Sequence, residues 1–275
     1  MSRALLPLWA APDAGPAAQH WAHQLADWGQ PVQLQDSGVA FAARWLRQHP
    51  ALVLLVDAQG LWLAANGMRM QPDWAGEWPR LRRASVRGEL LARACGLGRG
   101  EGPPQVLDAT AGLGHDALLL AALGAEVTAV ERDPVVLALL LDEWRRGQQQ
   151  PGLAAVLSRL HIQPGHAGLW LRQQTAPEVV YLDPMFPGQA QQAAKVKKPM
   201  QLLHQLLQGQ ADEPGLLAQA RRVAARVVVK RPRHGAFLEH LPPDQQWLGE
   251  AVRFDGYFQA SMTATDRQEK TDGSV

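Results

Sequence analysis

The sequence predicts an α/β fold built on a doubly wound, mostly parallel sheet, with a small N-terminal α+β cap. From about residue 85 onward, short apolar segments alternate with segments of helical periodicity, which is the pattern of successive parallel βαβ units. A chain of 275 residues has room for one large domain and a small companion. Seven of the ten tryptophans lie before an arginine-rich stretch that starts at Arg80. We therefore predict a small domain over residues 1–78 and a larger one over residues 79–275.

The elements of the cap are predicted from local patterns. Trp21, Leu25 and Trp28 have helical spacing after a Gly-Pro pair. The apolar segment 51–57 is followed by a Gly-containing turn and a second apolar segment at 61–63, which predicts a β-hairpin.

The elements of the larger domain follow the same reasoning. Pro134 is a favourable residue for the first turn of a helix. Strands are predicted over residues 105–108, 126–131, 160–163, 179–182 and 225–230, and helices over residues 86–95, 115–123 and 134–144.

Composition excludes several classes of protein. No uncharged apolar run approaches the ~18–20 residues that a membrane-spanning helix needs, so a membrane protein is not expected. The N-terminus lacks the order of regions that marks a signal peptide. Cys95 is the single cysteine, which argues against an internal disulfide and a thiolate zinc cluster. We expect a cytoplasmic protein without a metal site.

Basic residues are concentrated after residue 79, although the net charge of the whole chain is only +1. Two such clusters flank the candidate site described next, which favours phosphate binding over ordinary solvated helix faces. The first cluster comprises Arg80, Arg82, Arg83, Arg87 and Arg93, and the second begins at Lys195 and continues through Arg233.

The first candidate motif joins strand 105–108 to the following helix. Gly112 and Gly114 let the backbone of the turn approach a ligand closely, and the helix that follows presents free N–H groups. Such a turn suits a nucleotide-like group. The run Gly-Leu-Gly-His-Asp-Ala also satisfies the dinucleotide fingerprint, so an NAD-dependent oxidoreductase is one alternative and a turn without a ligand is another.

Two acidic residues distinguish between these ligands. Asp108 ends the strand before the turn, where a carboxylate repels a pyrophosphate but attracts a cationic ligand such as S-adenosylmethionine (SAM). Glu131 ends the next strand, where an acidic residue accepts hydrogen bonds from ribose hydroxyls. Together these residues favour a SAM-dependent enzyme.

The second candidate motif, Asp-Pro-Met-Phe-Pro, follows strand 179–182. It is similar to the loop of enzymes that methylate exocyclic amino groups of bases. Such an amine is a poor nucleophile because its lone pair is delocalised into the ring, so acceptors for its hydrogens help the reaction. We predict that Asp183 and the carbonyl of Pro184 are these acceptors and that Phe186 stacks on the base. A simple loop with Phe186 as a hydrophobic plug is the structural alternative.

Segments over residues 85–235 resemble the bacterial small-subunit ribosomal RNA guanine 2-amino methyltransferases of the J type. The resemblance lies in the runs 108–116, 131–136, 181–187, 196–198 and 228–232. It implies a Rossmann-like class I methyltransferase fold, SAM as cofactor with S-adenosylhomocysteine as product, and a guanine of 16S ribosomal RNA as substrate. It also implies cofactor contacts at His115, Asp116, Glu131, Arg132, His166, Ala167 and Asp183. His115 and His166 depart from the commoner residues, which are Arg in this family and an acid in many methyltransferases.

A further set of basic residues is predicted to lie at the rim of this site and to bind RNA phosphates without reading sequence. The set comprises Lys195, Lys197, Lys198, Lys230 and Arg231. The expected partner is 16S ribosomal RNA or the small ribosomal subunit. A DNA or transfer RNA amine methyltransferase, an NAD-dependent oxidoreductase and a non-catalytic RNA-binding protein remain alternatives.

Overall fold

The protein folds around two β-sheets, each with apolar core clusters of its own. The structure is a computed structural model, and it describes residues 3–173, 177–184, 198–208 and 214–259. Among these residues, no helix is both long and apolar enough to cross a membrane.

The N-terminal sheet mixes parallel and antiparallel pairs, with strand order β2-β1-β3-β4-β5. Strand β1 is parallel to both β2 and β3, and β3, β4 and β5 pair antiparallel. The predicted hairpin is confirmed as β3 and β4, whereas β1, β2 and β5 were not predicted. The strands are β1 Leu6–Ala10, β2 Val32–Asp36, β3 Val53–Asp57, β4 Gly60–Ala65 and β5 Met68–Met70, and the helices are α1 Gly15–Asp27 and α2 Ala43–Gln48.

The C-terminal sheet has seven strands in the order β11-β12-β10-β9-β6-β7-β8. Strands β6 to β10 are mutually parallel and β12 is antiparallel to both of its neighbours, so the predicted mostly parallel sheet is confirmed. The strands are β6 Gln105–Asp108, β7 Glu126–Glu131, β8 Leu160–Pro164, β9 Val179–Leu182, β10 Arg226–Pro232, β11 Gln245–Leu248 and β12 Val252–Phe258.

Helices cover this sheet on both faces. They are α3 Trp74–Leu81, α4 Leu90–Cys95, α5 His115–Ala122, α6 Pro134–Gln148, α7 Pro151–Leu157, α8 Ala167–Gln173, α9 Lys198–Leu206 and α10 Leu216–Val223. Helix α6 begins as predicted, because Asp133 caps it by accepting hydrogen bonds from the N–H groups of Val135 and Val136. Helix α4 is shorter than predicted, because the backbone at Ser85 first forms a turn with Gly88 and Glu89.

Helix α6 connects the two sheets. Val135 and Leu139 pack into the core of the N-terminal sheet, whereas Leu140 packs into the core of the C-terminal sheet. The buried Glu143 accepts a hydrogen bond from the backbone N–H of Trp74 at 2.6 Å, which ties α6 to α3. The predicted boundary after residue 78 lies within α3. The division into two domains therefore remains a proposal, since the two sheets share α6 as a common support.

Candidate active site

A cavity of about 320 Å³ opens at the carboxyl ends of the parallel strands. This volume lies within the range of about 300–1,000 Å³ that is usual for small-molecule sites. The fold brings together at its walls nearly all of the residues predicted to hold the cofactor and the reacting base. These are Asp108, Gly112, His115, Asp116, Glu131, Arg132, His166, Ala167, Asp183 and Pro184.

The two glycines of the turn between β6 and α5 have different roles. Gly112 lines the cavity with a φ of +55°, and a Cβ at this position meets nothing within 4 Å, so its backbone faces open space. Gly114 does not line the cavity. Its φ is +76°, and a Cβ there lies 2.6 Å from Leu140 Cδ1 and 2.8 Å from Trp74 Cζ2. Gly114 therefore allows α5 to pack against α3 and α6, and its predicted contact with the cofactor stays a prediction.

Glu131 is held rigidly at the end of β7 by two backbone groups. Its Oε1 accepts a hydrogen bond from the Asp133 N–H at 2.7 Å, and its Oε2 accepts one from the Gly112 N–H at 2.8 Å. Burial raises the pKa of Glu131, and these two hydrogen bonds act in the opposite direction. A carboxylate fixed in this way keeps one further lone pair on each oxygen for a ligand that lies in the cavity.

Asp108 is almost completely buried at the end of β6, with 1% of its surface exposed. Burial is the main cause that raises the pKa of its carboxyl well above the usual value, and the neighbouring Asp116 raises it further. Its Oδ1 accepts a hydrogen bond from the Thr110 N–H at 3.1 Å. A positively charged ligand relieves the electrostatic cost of such a group, which agrees with the cationic ligand predicted from Asp108.

Lys230 lies at the centre of a network of acidic side chains. Its Nζ is 2.7 Å from Asp116 Oδ2 and 3.0 Å from Asp183 Oδ2. Asp116 Oδ2 also accepts a hydrogen bond from the hydroxyl of Tyr181 at 2.6 Å. The two carboxylates raise the pKa of Lys230 against the effect of its burial, so it remains charged. One cation therefore neutralises part of the negative charge of the cavity and fixes two carboxylates at once.

Asp183 directly follows β9 and is fixed from two sides. Its backbone N–H donates a hydrogen bond to Thr110 Oγ1 at 2.6 Å, and its side chain binds Lys230. The side chain keeps 38% of its surface exposed, so it remains accessible to a substrate at the cavity. Pro184 lines the same wall. Phe186, the predicted stacking residue, lies outside the described residues.

The prediction that Lys230 and Arg231 bind RNA at the rim is wrong. Val229 is in register with Leu182 of β9, so Lys230 is placed beside Asp183 and its side chain turns into the cavity. Arg231 points to the opposite face of the strand, as side chains alternate in β-structure, and is 5% exposed. Its Nε donates to the carbonyl of Ala236 at 2.7 Å. Lys195 and Lys197 lie outside the described residues, and Lys198 begins α9 with a side chain outside the description.

The remaining predicted cofactor contacts surround the same cavity. His115 begins α5, and its Nδ1 lies 2.5 Å from Glu77 Oε1 of α3. Arg132 and His166 line the cavity and also a shallower groove beside it, and Ala167 begins α8. His166 is exposed to solvent. The cofactor contacts predicted for these residues stay predictions.

One wall of the cavity was missed entirely by the sequence analysis. Helix α9 and the turn after it contribute Met200, Leu203, His204 and Leu207. Their helical spacing identifies an amphipathic helix but not the surface on which it packs. Tyr181 and Lys230 were recognisable as residues of predicted strands, and only the folded structure shows that both bind Asp116 Oδ2.

Residues 43–259 match a family model described as putative SAM-dependent methyltransferase. The ribosomal RNA small subunit methyltransferase J of Acinetobacter baylyi is 51% identical over 233 residues, which cover 80% of this chain and 85% of that relative. The protein of the same name from Alkalilimnicola ehrlichii is 46% identical over 223 residues, which cover 76% and 83%.

A solved structure is similar over almost the full chain. It is the crystal structure of a SAM-dependent methyltransferase from Neisseria gonorrhoeae, with a TM-score of 0.68 and 30% sequence identity. The similarity covers 94% of this chain and 98% of that protein.

Proposed function

The chain belongs to the family of SAM-dependent methyltransferases that includes the ribosomal RNA small subunit methyltransferases J, and from this premise we propose that it methylates the RNA of the small ribosomal subunit. The fold is the Rossmann-like class I methyltransferase fold predicted from the sequence, and SAM is the cofactor. This membership sets aside the dinucleotide alternative, which rested on the fingerprint of the turn at Gly112 alone. We further propose that the acceptor is the exocyclic 2-amino group of a guanine in 16S ribosomal RNA.

The observation that carries this proposal is the carboxylate of Asp183 at the cavity. It is accessible, and it is oriented by Lys230 at 3.0 Å and by the backbone hydrogen bond to Thr110. It directly precedes Pro184, whose carbonyl supplies a second acceptor in the proposed arrangement. A pair of fixed acceptors suits a planar amine that must present its lone pair to an electrophile.

The acidic groups of the cavity fit the cofactor. In our proposal, Glu131 accepts hydrogen bonds from both ribose hydroxyls with the lone pairs that its backbone partners leave available. Asp116 and Asp108 favour the positively charged amino and sulfonium groups of the ligand, since a nearby cation stabilises the ionised form of the buried Asp108. Gly112 allows the backbone to approach the ligand, since no side chain occupies that space.

When bound, SAM supplies a methyl group that a sulfonium makes electrophilic. The side chain of Asp183 accepts a hydrogen bond from the guanine amine, so the lone pair localises on nitrogen as that atom becomes pyramidal. After the nitrogen–methyl bond forms and the sulfur–methyl bond breaks, the amine must lose one proton. Asp183 is placed to accept this proton and pass it to solvent, because its side chain is partly exposed. Lys230, at 3.0 Å, holds the carboxylate in position for both steps.

The proposed target and the place of action follow from the relatives. The named relatives act on RNA of the small ribosomal subunit, which supports 16S ribosomal RNA over DNA and transfer RNA as the substrate. Such RNA is present in the cytoplasm, where we propose that the enzyme works. The partner is either naked RNA or the assembling subunit.

The proposal is tested by transfer of labelled methyl groups from SAM to small subunits and to naked 16S RNA, both from cells that lack this gene. We expect 2-methylguanosine at one position, and the better acceptor identifies the stage of assembly at which the enzyme acts. The Asp183→Asn variant should bind SAM but transfer at least about 100-fold more slowly, as is usual when a proton-accepting group is lost. Methylation of DNA or transfer RNA alone, or of another atom of the base, would refute the proposed substrate.

A further inference from the structure

The segment between α3 and α4 lies at the same edge of the sheet as the cavity. Helix α3 reaches the cavity wall through the contact between Glu77 and His115. Helix α4 begins at Leu90, whose Cδ1 would lie 3.0 Å from a Cβ at Gly249. Gly249 belongs to the turn between β11 and β12, and Val252 after that turn is in register with Pro232 at the carboxyl end of β10. The connecting residues 82–89 therefore pass beside the mouth of the cavity.

The loop after β10, which carries Arg233 and His234, is fixed against the turn between β11 and β12. The N–H of Arg233 donates to the carbonyl of Ala251 at 2.9 Å, and its Nη1 donates to the carbonyl of Gly249 at 2.8 Å. The buried Arg253 of β12 supports the loop from the interior, because its Nη1 donates to the carbonyls of Pro232, Arg233 and Gly235 at 2.8–3.1 Å. Arg253 is itself held by the fully buried Asp255 at 2.9 Å. The loop that carries Arg233 and His234 is thus built rigidly at the edge that holds Lys230.

The arginines of the connecting segment are exposed and available. Arg82, Arg83 and Arg87 have exposed side chains that form no ion pair or hydrogen bond within the described part of the chain. The acids closest to them along the chain are already engaged, since Glu89 binds Arg80 at 3.0 Å and Glu77 binds His115. Glu250 in the neighbouring turn contributes one opposing charge. Three exposed arginines thus face one exposed acid, and this side of the cavity has an excess of positive charge.

We propose that Arg82, Arg83 and Arg87, with Arg233 beside them, form a basic rim that binds RNA phosphates flanking the methylated nucleotide. This inference rests on the proposed function and extends it to a surface that the motifs of the cavity do not include. Guanidinium groups bind phosphate oxygens in a bidentate way, and such contacts position a nucleic acid without reading its sequence. The basic rim takes the place of Lys230, which faces the cavity, and of Arg231, which is buried.

The test compares two triple variants with the same change in charge. The rim variant carries Arg82→Ala, Arg83→Ala and Arg87→Ala. The control carries Arg93→Ala, Arg99→Ala and Arg222→Ala, which remove three exposed arginines close to the start of β10, at the opposite edge of the sheet. Both variants are compared with the wild-type enzyme for binding of 16S RNA over a range of salt concentrations, with melting temperature as a check on folding.

The rim variant should bind RNA at least about 10-fold more weakly at low salt, and its slope of log K against log salt should be shallower by about 2, since each lost phosphate contact contributes about 0.7. The KM for RNA should rise, while the affinity for SAM and the rate at saturating RNA stay at the wild-type value. The control should change each quantity far less. Equal effects in the two variants would overturn the proposal.

Two other outcomes are distinguishable. If the rim variant loses affinity only for assembled subunits and not for naked RNA, the surface binds a ribosomal protein and the proposal is wrong. If the wild-type enzyme neither binds nor methylates 16S RNA, the proposed function itself fails, and the basic rim as an RNA surface fails with it.

Discussion

The change of Glu131 to glutamine tests the cofactor site most sharply. The carboxylate accepts one backbone N–H on each oxygen, from Asp133 at 2.7 Å and from Gly112 at 2.8 Å. Glutamine offers one oxygen and one NH₂ group, so in either orientation one of these backbone donors faces another donor. The substitution therefore removes an acceptor from the protein as well as the charge that the ribose hydroxyls would bind.

Two separate effects are expected from Glu131→Gln, one on stability and one on binding. The unpaired backbone donor should cost about 1–3 kcal/mol of stability, which lowers the melting temperature by about 2–12 °C for a chain of this length. The lost charge-assisted hydrogen bonds to the ligand should cost about 1.5–3 kcal/mol of binding, which weakens SAM by about 10- to 150-fold.

The pH dependence provides an independent measurement. Burial raises the pKa of Glu131, so the wild-type carboxyl gains its proton at a higher pH than an exposed glutamate does. As the pH falls through this raised pKa, the acceptor charge is lost and SAM affinity should fall. The affinity of Glu131→Gln should lack this component of the pH dependence.

Isothermal titration calorimetry with SAM and thermal melting of the free protein measure both effects. The matched control is Glu126→Gln at the first residue of the same strand, where the carboxylate has a 3.7 Å contact with His161 and lies away from the cavity. The control should retain wild-type SAM affinity. If Glu131→Gln is folded and binds SAM within about threefold of the wild type, a difference below 1 kcal/mol, the ribose contact is refuted.

Substitutions at three further positions test other parts of the structure. Lys230→Met should lower the rate of methyl transfer in single-turnover assays by about 10- to 150-fold, since the carboxylate of Asp183 loses a charge-assisted hydrogen bond. Lys230→Arg should restore part of the rate. An unchanged rate for Lys230→Met would contradict the role of this network. Gly114→Ala should lower the free energy of unfolding, measured with denaturant, by about 1–3 kcal/mol, because φ is +76° and the new Cβ lies 2.6 Å from Leu140 Cδ1. Wild-type stability of this variant would show that α5 does not need close contact with α3 and α6. Burial and the neighbouring Asp116 raise the pKa of Asp108 well above the usual value of about 3.9, so the contribution of Asp108 to stability should decline as the pH rises from that value. Asp108→Asn should remove this decline. Equal pH slopes of the unfolding free energy in the variant and the wild type would contradict the raised pKa.

The sequence by itself determined the order of the main elements and the position of the chemistry along the chain. Strands β6, β7 and β9 have the predicted bounds, because short apolar segments between turn residues are a local signal. Asp108, Glu131 and Asp183 were found because each lies at or just after the end of a strand. The carboxyl ends of parallel strands meet at one edge of a sheet, so residues distant in sequence could be assigned to one site.

The tertiary structure decided the roles of residues whose neighbours are distant in sequence. Lys230 and Arg231 are adjacent basic residues, and their separation into the cavity and the interior depends on the alternation of β10 and its register with β9. The wall formed by α9 and the shared support of α6 depend likewise on which apolar face packs on which sheet. Periodicity is a property of a short segment and shows that a face is apolar. Strand order, register and packing between segments arise from the simultaneous fit of many side chains, and only the folded chain contains that information.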